Sequence, residues 1–228
     1  GYKEARLAAS NEIKKNMARM IDAKCRQCRR SGEKLFLKGE RCFSQKCAMV
    51  KRPYAPGAHG AQKKKGRRGF SEYGRQLAEK QRVKKIYGVL ERQFKKYFLE
   101  ASQSKGDTRE NLIKILEKRL DNVIFRLGFA PSRAAARQLV NHGHITVNGR
   151  RLDIPSYSVR VGDVLSLKEK VKKSKLFENL AAFLKKYETP RWLVLEKEKL
   201  EGKVNNEPTA EDFDDLMSIG LIVEFYSR

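Results

Sequence analysis

Apolar positions divide the chain into a patternless first third and a strongly periodic remainder. Ser71 is a plausible N-cap, and the helix predicted after it carries Leu77, Val83, Ile86 and Tyr87 on a limited apolar face until Gly88 breaks it. Leu90, Phe94, Tyr97 and Phe98 recur at steps of three and four and predict a second helix over Leu90–Ala101, its aromatics packed in a core. Asp107-Thr-Arg-Glu110 has the form of a capping box. It predicts one helix bearing Leu112, Leu116, Leu120, Val123 and Leu127 on a single face and stopping at Gly128. Ser132 caps a shorter helix that ends near Gly143.

Beyond Gly143 the period shortens to two. Ile145-Thr-Val and Arg-Arg-Leu152 flank Asn148-Gly149, the strongest short-range signal for a type I′ hairpin. Short strands are predicted at Tyr157–Val159, Val164–Leu167 and Trp192–Leu195, with a helix over Leu176–Tyr187 ended by Pro190. Residues 25 to 70 lack either period, and their glycines with Pro53 and Pro56 predict a loop-like arm. The fold class is α+β: a mostly helical domain with an inserted domain of helices and antiparallel sheet. The divisions are a leading tail (1–22), an arm (23–70), a helical domain (71–106), an inserted domain (107–205, core about 117–180) and an acidic segment with a carboxy-terminal return (206–228). The return is taken to complete the helical domain. Met17-Ala18-Arg19 is a possible natural start of the compact protein.

Charge names the class of partner. Lys and Arg number 51 against 27 Asp and Glu, a formal charge of +24 over 228 residues, so the counterpart is a polyanion. No long amphipathic helix, apolar span or lipidation signature favours a membrane, which leaves nucleic acid. The candidate contacts are the run Lys63, Lys64, Lys65, Arg67 and Arg68; the helical cations Arg75, Lys80, Arg82, Lys84, Lys85, Arg119, Arg126, Arg133 and Arg137; and His142, His144, Asn148, Arg150 and Arg151 around the hairpin. A charge run is in isolation more often a solvated loop, but this one follows a basic arm in a strongly cationic chain. Glu207, Glu211, Asp212, Asp214 and Asp215 would repel RNA and are expected to face solvent or a basic protein neighbour.

The arm changes the picture again. All four cysteines lie there, as Cys25-x-x-Cys28 and Cys42-x-x-x-x-Cys47. Each pair can present two thiolates from one turn to a tetrahedral ion, so zinc is preferred, with an iron–sulfur cluster as the alternative. Four thiolates close the coordination shell, which makes the metal structural. The cations around the ligands, from Lys24 to Lys46, are expected to favour thiolate over thiol. Disulfides would need an oxidising compartment, and no secretory signal is present in the sequence given.

These residues also carry a resemblance. Leu116–Phe129, Ser132–Val140 and His142–Arg150 resemble the small RNA-binding module named after ribosomal protein S-four. Leu37–Cys42, Lys46–Met49, Arg52–Gly60, Glu79-Lys-Gln81 and Val223–Arg228 are similar to the bacterial ribosomal family itself, in its zinc-knuckle-containing form. The resemblance implies a structural constituent of the small ribosomal subunit and no enzyme. It implies a primary binder of 16S rRNA that nucleates the 5′ domain and contributes to translational accuracy. It further implies the third and fifth small-subunit proteins as neighbours, messenger RNA nearby where it enters the subunit, and a cytoplasmic, ribosome-bound location. A free-standing translational repressor, or an RNA-modifying enzyme carrying the same module, is the competing class.

Overall fold

A computed structural model of the chain describes residues 23–61, 71–172, 174, 180, 183–184, 187–209, 212 and 218–228. The arm is more ordered than its composition predicts. It contains α1 (Lys24–Ser31) and two single helical turns, α2 (Glu40–Phe43) and α3 (Ala48–Lys51). The two prolines lie past α3, where they interrupt no helix, and Gly32 closes α1 in a left-handed conformation with its N–H on the Cys28 carbonyl.

Next come α4 (Glu72–Tyr87) and α5 (Glu91–Gln103). Ser71 caps α4 by accepting from Gly74 N at 3.2 Å, and Gly88 ends it at φ +63°. Val83, Phe94, Phe98 and Ala101 point into one core, which also takes Leu112 and Leu116 from α6 (Thr108–Glu117). Asp107 caps α6 through Arg109 N at 2.8 Å. The reciprocal bond to Glu110 that a capping box requires is not present among the described residues.

The single helix predicted over residues 108 to 127 is two. Arg119 is extended and bridges Ser158; Leu120 N donates to the Tyr157 carbonyl at 2.8 Å, and Val159 N to the Lys118 carbonyl at 2.9 Å. Those bonds divert the backbone out of the helical ladder. The next helix, α7 (Leu120–Arg126), therefore turns away, so Leu120, Val123 and Leu127 enter a second core while Leu112 and Leu116 remain in the first. The seam between the cores falls at residues 117–119, not at 107.

The second core lies between α7, α8 (Arg133–Asn141) and one antiparallel sheet. Ser132 caps α8 through Ala135 N at 3.3 Å. The strands are β1 (Ile145–Val147), β2 (Arg150–Arg151), β3 (Val164–Leu167), β4 (Leu193–Glu196) and β5 (Glu201–Val204), ordered β2-β1-β3-β5-β4. A short turn, α9 (Glu169–Lys172), follows β3. Asn148 and Gly149 sit at φ +51° and +77°, as a type I′ turn needs, and set Val147 opposite Arg150. Tyr157–Val159 contributes one bridge in place of the predicted strand. The unpredicted β5 contains Gly202, whose absent side chain admits the methyls of Leu127. Most of the helix predicted over 176–187 lies outside the described residues; Leu184, which is described, is buried in the second core.

The last element, α10 (Ile219–Tyr226), returns to the first core, with Ile219 and Ile222 buried. It is tied to α4 by Glu224, which accepts from Gln76 Nε2 at 3.0 Å, and by Arg228 to Glu72 at 3.2 Å. Among the described residues no helix is long and apolar enough to cross a membrane.

Candidate nucleic-acid interface

Cations on the periodic elements fall into two groups, and the acids around them decide which. Lys80 is 5% exposed and donates to Glu91 at 2.8 Å. Lys84 donates to the same carboxylate at 2.5 Å, and Arg82 pairs with both Glu33 and Glu79. Arg119 is 3% exposed; it forks onto Asp121 at 3.1 and 2.7 Å and donates to the Tyr97 hydroxyl at 2.6 Å. Arg126 lays its guanidinium on the buried Glu117 at 3.1 and 3.2 Å. Lys80, Arg82, Lys84, Arg119 and Arg126, expected to contact RNA, are thus each paired with a carboxylate of the chain itself. Moving the charge of Arg119 or Arg126 to a phosphate would strand a buried carboxylate, Asp121 or Glu117, whereas Glu91 and Glu33, which pair with Lys80, Lys84 and Arg82, are themselves exposed.

Arg133 and Arg137 stand between the groups. Arg133 donates to Asn122 Oδ1 at 2.8 Å and lies over the rings of Tyr87 and Phe125 at 4.8 and 4.6 Å. Arg137 reaches Asp121 at 3.1 Å. Both remain half-buried at a cleft edge. Lys85 is half-buried too, donating to Ser31 Oγ at 3.3 Å, and burial with the neighbouring Arg30 charge lowers its pKa.

The sheet edge is different. Arg150 and Arg151 form β2 and are exposed, beside exposed His142 and half-buried His144, whose rings meet edge-on at 5.7 Å. Gly143 makes this corner possible: at φ +65°, a Cβ there would lie 2.2 Å from Arg151 Nε. The guanidinium thus lies against Gly143, just past the end of α8. His144 is held below its ordinary pKa by burial, then by His142, Lys168 and Arg151, which favours a neutral imidazole in a cationic corner. Asn148 serves the turn: its amide donates to Asp163 at 2.8 Å and its carbonyl accepts from Val164 N at 2.9 Å. Asn148, expected to contact RNA, is exposed at the tip of the hairpin with its amide engaged in the turn. Arg75 is exposed on α4. Lys63, Lys64, Lys65, Arg67 and Arg68 lie outside the described residues.

Sequence reasoning missed the acids that neutralise these cations, above all Glu117 and Asp121, embedded in the otherwise basic Glu-Lys-Arg-Leu-Asp. The available signal was the pair of carboxylates at the seam. Glu207 is another: it holds Lys118 and, at 3.6 Å, Lys114. That part of the acidic segment faces cations of its own chain; Glu211, Asp214 and Asp215 lie outside the described residues.

All four cysteines line one small cavity, with Leu37, Lys38 and Met49. Lys38 N donates to Cys42 Sγ at 3.3 Å, the kind of backbone bond that steadies a thiolate. Among the described residues no set of three or more metal-ligating side chains is gathered into a formed site. The expected thiolate bias is corrected at Cys28: burial pushes its thiol up, the other three cysteines add to that, and a backbone bond at Leu35 opposes it. Of the cations expected to act on the thiols, Arg29 donates instead to the Tyr54 and Ala55 carbonyls at 2.9 and 3.3 Å, while Lys24 lines the cavity with the cysteines.

Comparison with known proteins agrees with the division at the seam. Residues 19–117 match the family described as ribosomal protein S4/S9 N-terminal domain, and residues 118–165 match the S4 domain. Similar full-length proteins include small ribosomal subunit protein uS4A of Alkaliphilus oremlandii, 56% identical over 93% of this chain and 100% of its own. The uS4 proteins of Acetivibrio thermocellus and Halothermothrix orenii are each 54% identical over the same shares.

Proposed function

This chain belongs to the bacterial uS4 family of small-ribosomal-subunit proteins, and from that premise we propose that it is a structural, rRNA-binding constituent of the small subunit. The observation that carries the reading is coverage: relatives named as ribosomal proteins align along their whole length. An RNA-modifying enzyme would carry the module as an appendage to a catalytic domain. The physical support is the outward-facing corner of His142, His144, Arg150 and Arg151 on a chain of charge +24.

We further propose 16S rRNA of the 5′ domain as the target, bound early in assembly, with the third and fifth small-subunit proteins and incoming messenger RNA as neighbours, in the cytoplasm. The corner presents two exposed arginines on a hydrogen-bonded hairpin, suited to the shape and backbone of structured RNA. The basic run from Lys63 to Arg68 adds sequence-independent attraction.

The cysteines are proposed to hold a structural zinc ion through Cys25, Cys28, Cys42 and Cys47, because all four thiols share one cavity and a backbone donor already faces Cys42. The ion would cross-link the arm, with no chemistry beyond that. Elemental analysis and visible absorption separate zinc from an iron–sulfur cluster.

Titration against a 5′-domain 16S rRNA fragment at several salt concentrations tests the main reading. Arg150→Ala with Arg151→Ala should weaken binding. Neutralising Lys63, Lys64, Lys65, Arg67 and Arg68 should make log affinity against log salt shallower by up to about 0.9 per lost duplex contact. Equal affinity for an unrelated structured RNA would overturn the assignment.

A further inference from the structure

The arm carries an exposed aromatic pair that neither core uses. Phe43 is 77% exposed and Phe36 38%, and their rings stack with centroids 5.1 Å apart and planes at 29°. Phe36 occupies φ +49°, a left-handed conformation uncommon for a bulky residue. The turn that holds it is anchored: Gly39 sits at φ +60° so close to Pro131 that a Cβ would lie 2.4 Å from the carbonyl oxygen. The turn is thus pinned to the inserted module while the two rings stay in solvent.

We infer that Phe36 and Phe43 form a stacking platform for one unpaired RNA base. The surroundings select the ligand. Lys34, Lys38, Arg41 and Lys46 flank the rings in sequence and are exposed, and none makes an ion pair among the described residues. Of the nearby acids, Glu33 is engaged by Arg82, and Glu40 is exposed beside Arg41. An apolar protein segment would gain nothing from that cationic rim, whereas a nucleotide supplies both a π-face and phosphates. Phe36 also forms part of the wall of a cleft of about 360 Å³ that runs past Lys85 and Leu90 to Arg133 and Arg137. A strand whose base rests on the platform can pass its neighbouring phosphates along that cleft. Stacking is tolerant of base identity, so the platform favours an unpaired position over a sequence.

The inference rests on the rRNA-binding reading, and the test separates the two. Full-length Phe43→Ala, Phe43→Trp and wild-type protein are titrated with the 5′-domain 16S rRNA fragment across a salt series. Phe43 lies outside both cores, so folding is checked only by matching circular dichroism and thermal midpoints. Phe43→Ala should weaken binding about 5- to 150-fold, with Phe43→Trp near wild type and the salt slope unchanged, since no charge is lost. Wild-type affinity for Phe43→Ala removes the platform and leaves the rRNA reading standing. Equal losses in the Ala and Trp variants, or a shallower slope, would show a distorted arm and also refute the platform. Failure of the wild-type protein to prefer the fragment over unrelated RNA would remove both.

Discussion

Glu117, wholly buried at the end of α6, receives Arg126 from the end of α7 through two hydrogen bonds of 3.1 and 3.2 Å. The same carboxylate accepts from Tyr87 of the helical core at 2.5 Å and from Asn122 of the module at 2.8 Å. It therefore joins the two cores where the chain crosses between them. Burial alone would raise its pKa, but Arg126, Arg133 and the hydrogen bonds outweigh that and hold it below the ordinary carboxylate range.

Removing that carboxylate should be severe. Glu117→Ala strands Arg126 and the Tyr87 hydroxyl, and breaking such a buried pair typically costs about 3–5 kcal/mol. Tyr87→Phe, which removes one bond, should cost about 1 kcal/mol. Equilibrium denaturation measures both; near-equal losses would mean that Glu117 contributes no more than one hydrogen bond.

Glu91 predicts an acid-sensitive return of the last helix. Burial works to raise its pKa, but hydrogen bonds from Lys80, Lys84 and Tyr226 prevail and bring it from 4.5 to about 2. A depressed carboxylate contributes stability that is present above its unfolded value near 4.5 and lost as pH falls toward about 2. Thermal midpoints of wild type and Glu91→Gln should therefore differ at pH 7 and converge in that acid window. A gap that persists below it would contradict the assignment.

The arm should depend on its cysteines while the module does not. Cys42→Ser, or treatment with a strong chelator, is expected to speed proteolysis within residues 23–61 and leave fragments beginning near Lys118 protected. Metal content is measured in parallel. Arm protection that survives complete loss of metal would defeat the structural role.

Gly202→Ala tests the packing of β5 on α7. The added methyl would lie 2.4 and 2.5 Å from the two methyls of Leu127, itself fully buried, so the strand or the core must shift. Overpacking of this kind costs about 1–3 kcal/mol. A chemical-denaturation midpoint equal to wild type would show that Leu127 repacks freely.

Signals confined to a few neighbouring residues were legible. Ser71 and Ser132 cap the helices they precede, Gly88 stops α4, and Asn148-Gly149 turns the hairpin, because each acts through its own backbone dihedrals or a donor three residues away. The arm misled for the complementary reason: α1 is two turns long and rests on long-range contacts, including Lys85 to Ser31. A helix so short has little stability of its own to write into a local pattern.

Sequence alone determined the charge, the helical and strand periods, the caps and the grouping of cysteines, all properties of composition or of residues within one turn of each other. Tertiary structure decided where the helix after Asp107 breaks, because the competing partners of Lys118 and Leu120 are Val159 and Tyr157, some forty residues away by sequence number. It also decided which cations remain exposed. Arg119 and Arg150 are the same residue type in similarly basic stretches, yet one is buried against Asp121 and Tyr97 and the other stands exposed on β2. A guanidinium's availability depends on the acids and surfaces that folding brings to it, and those come from distant parts of the chain.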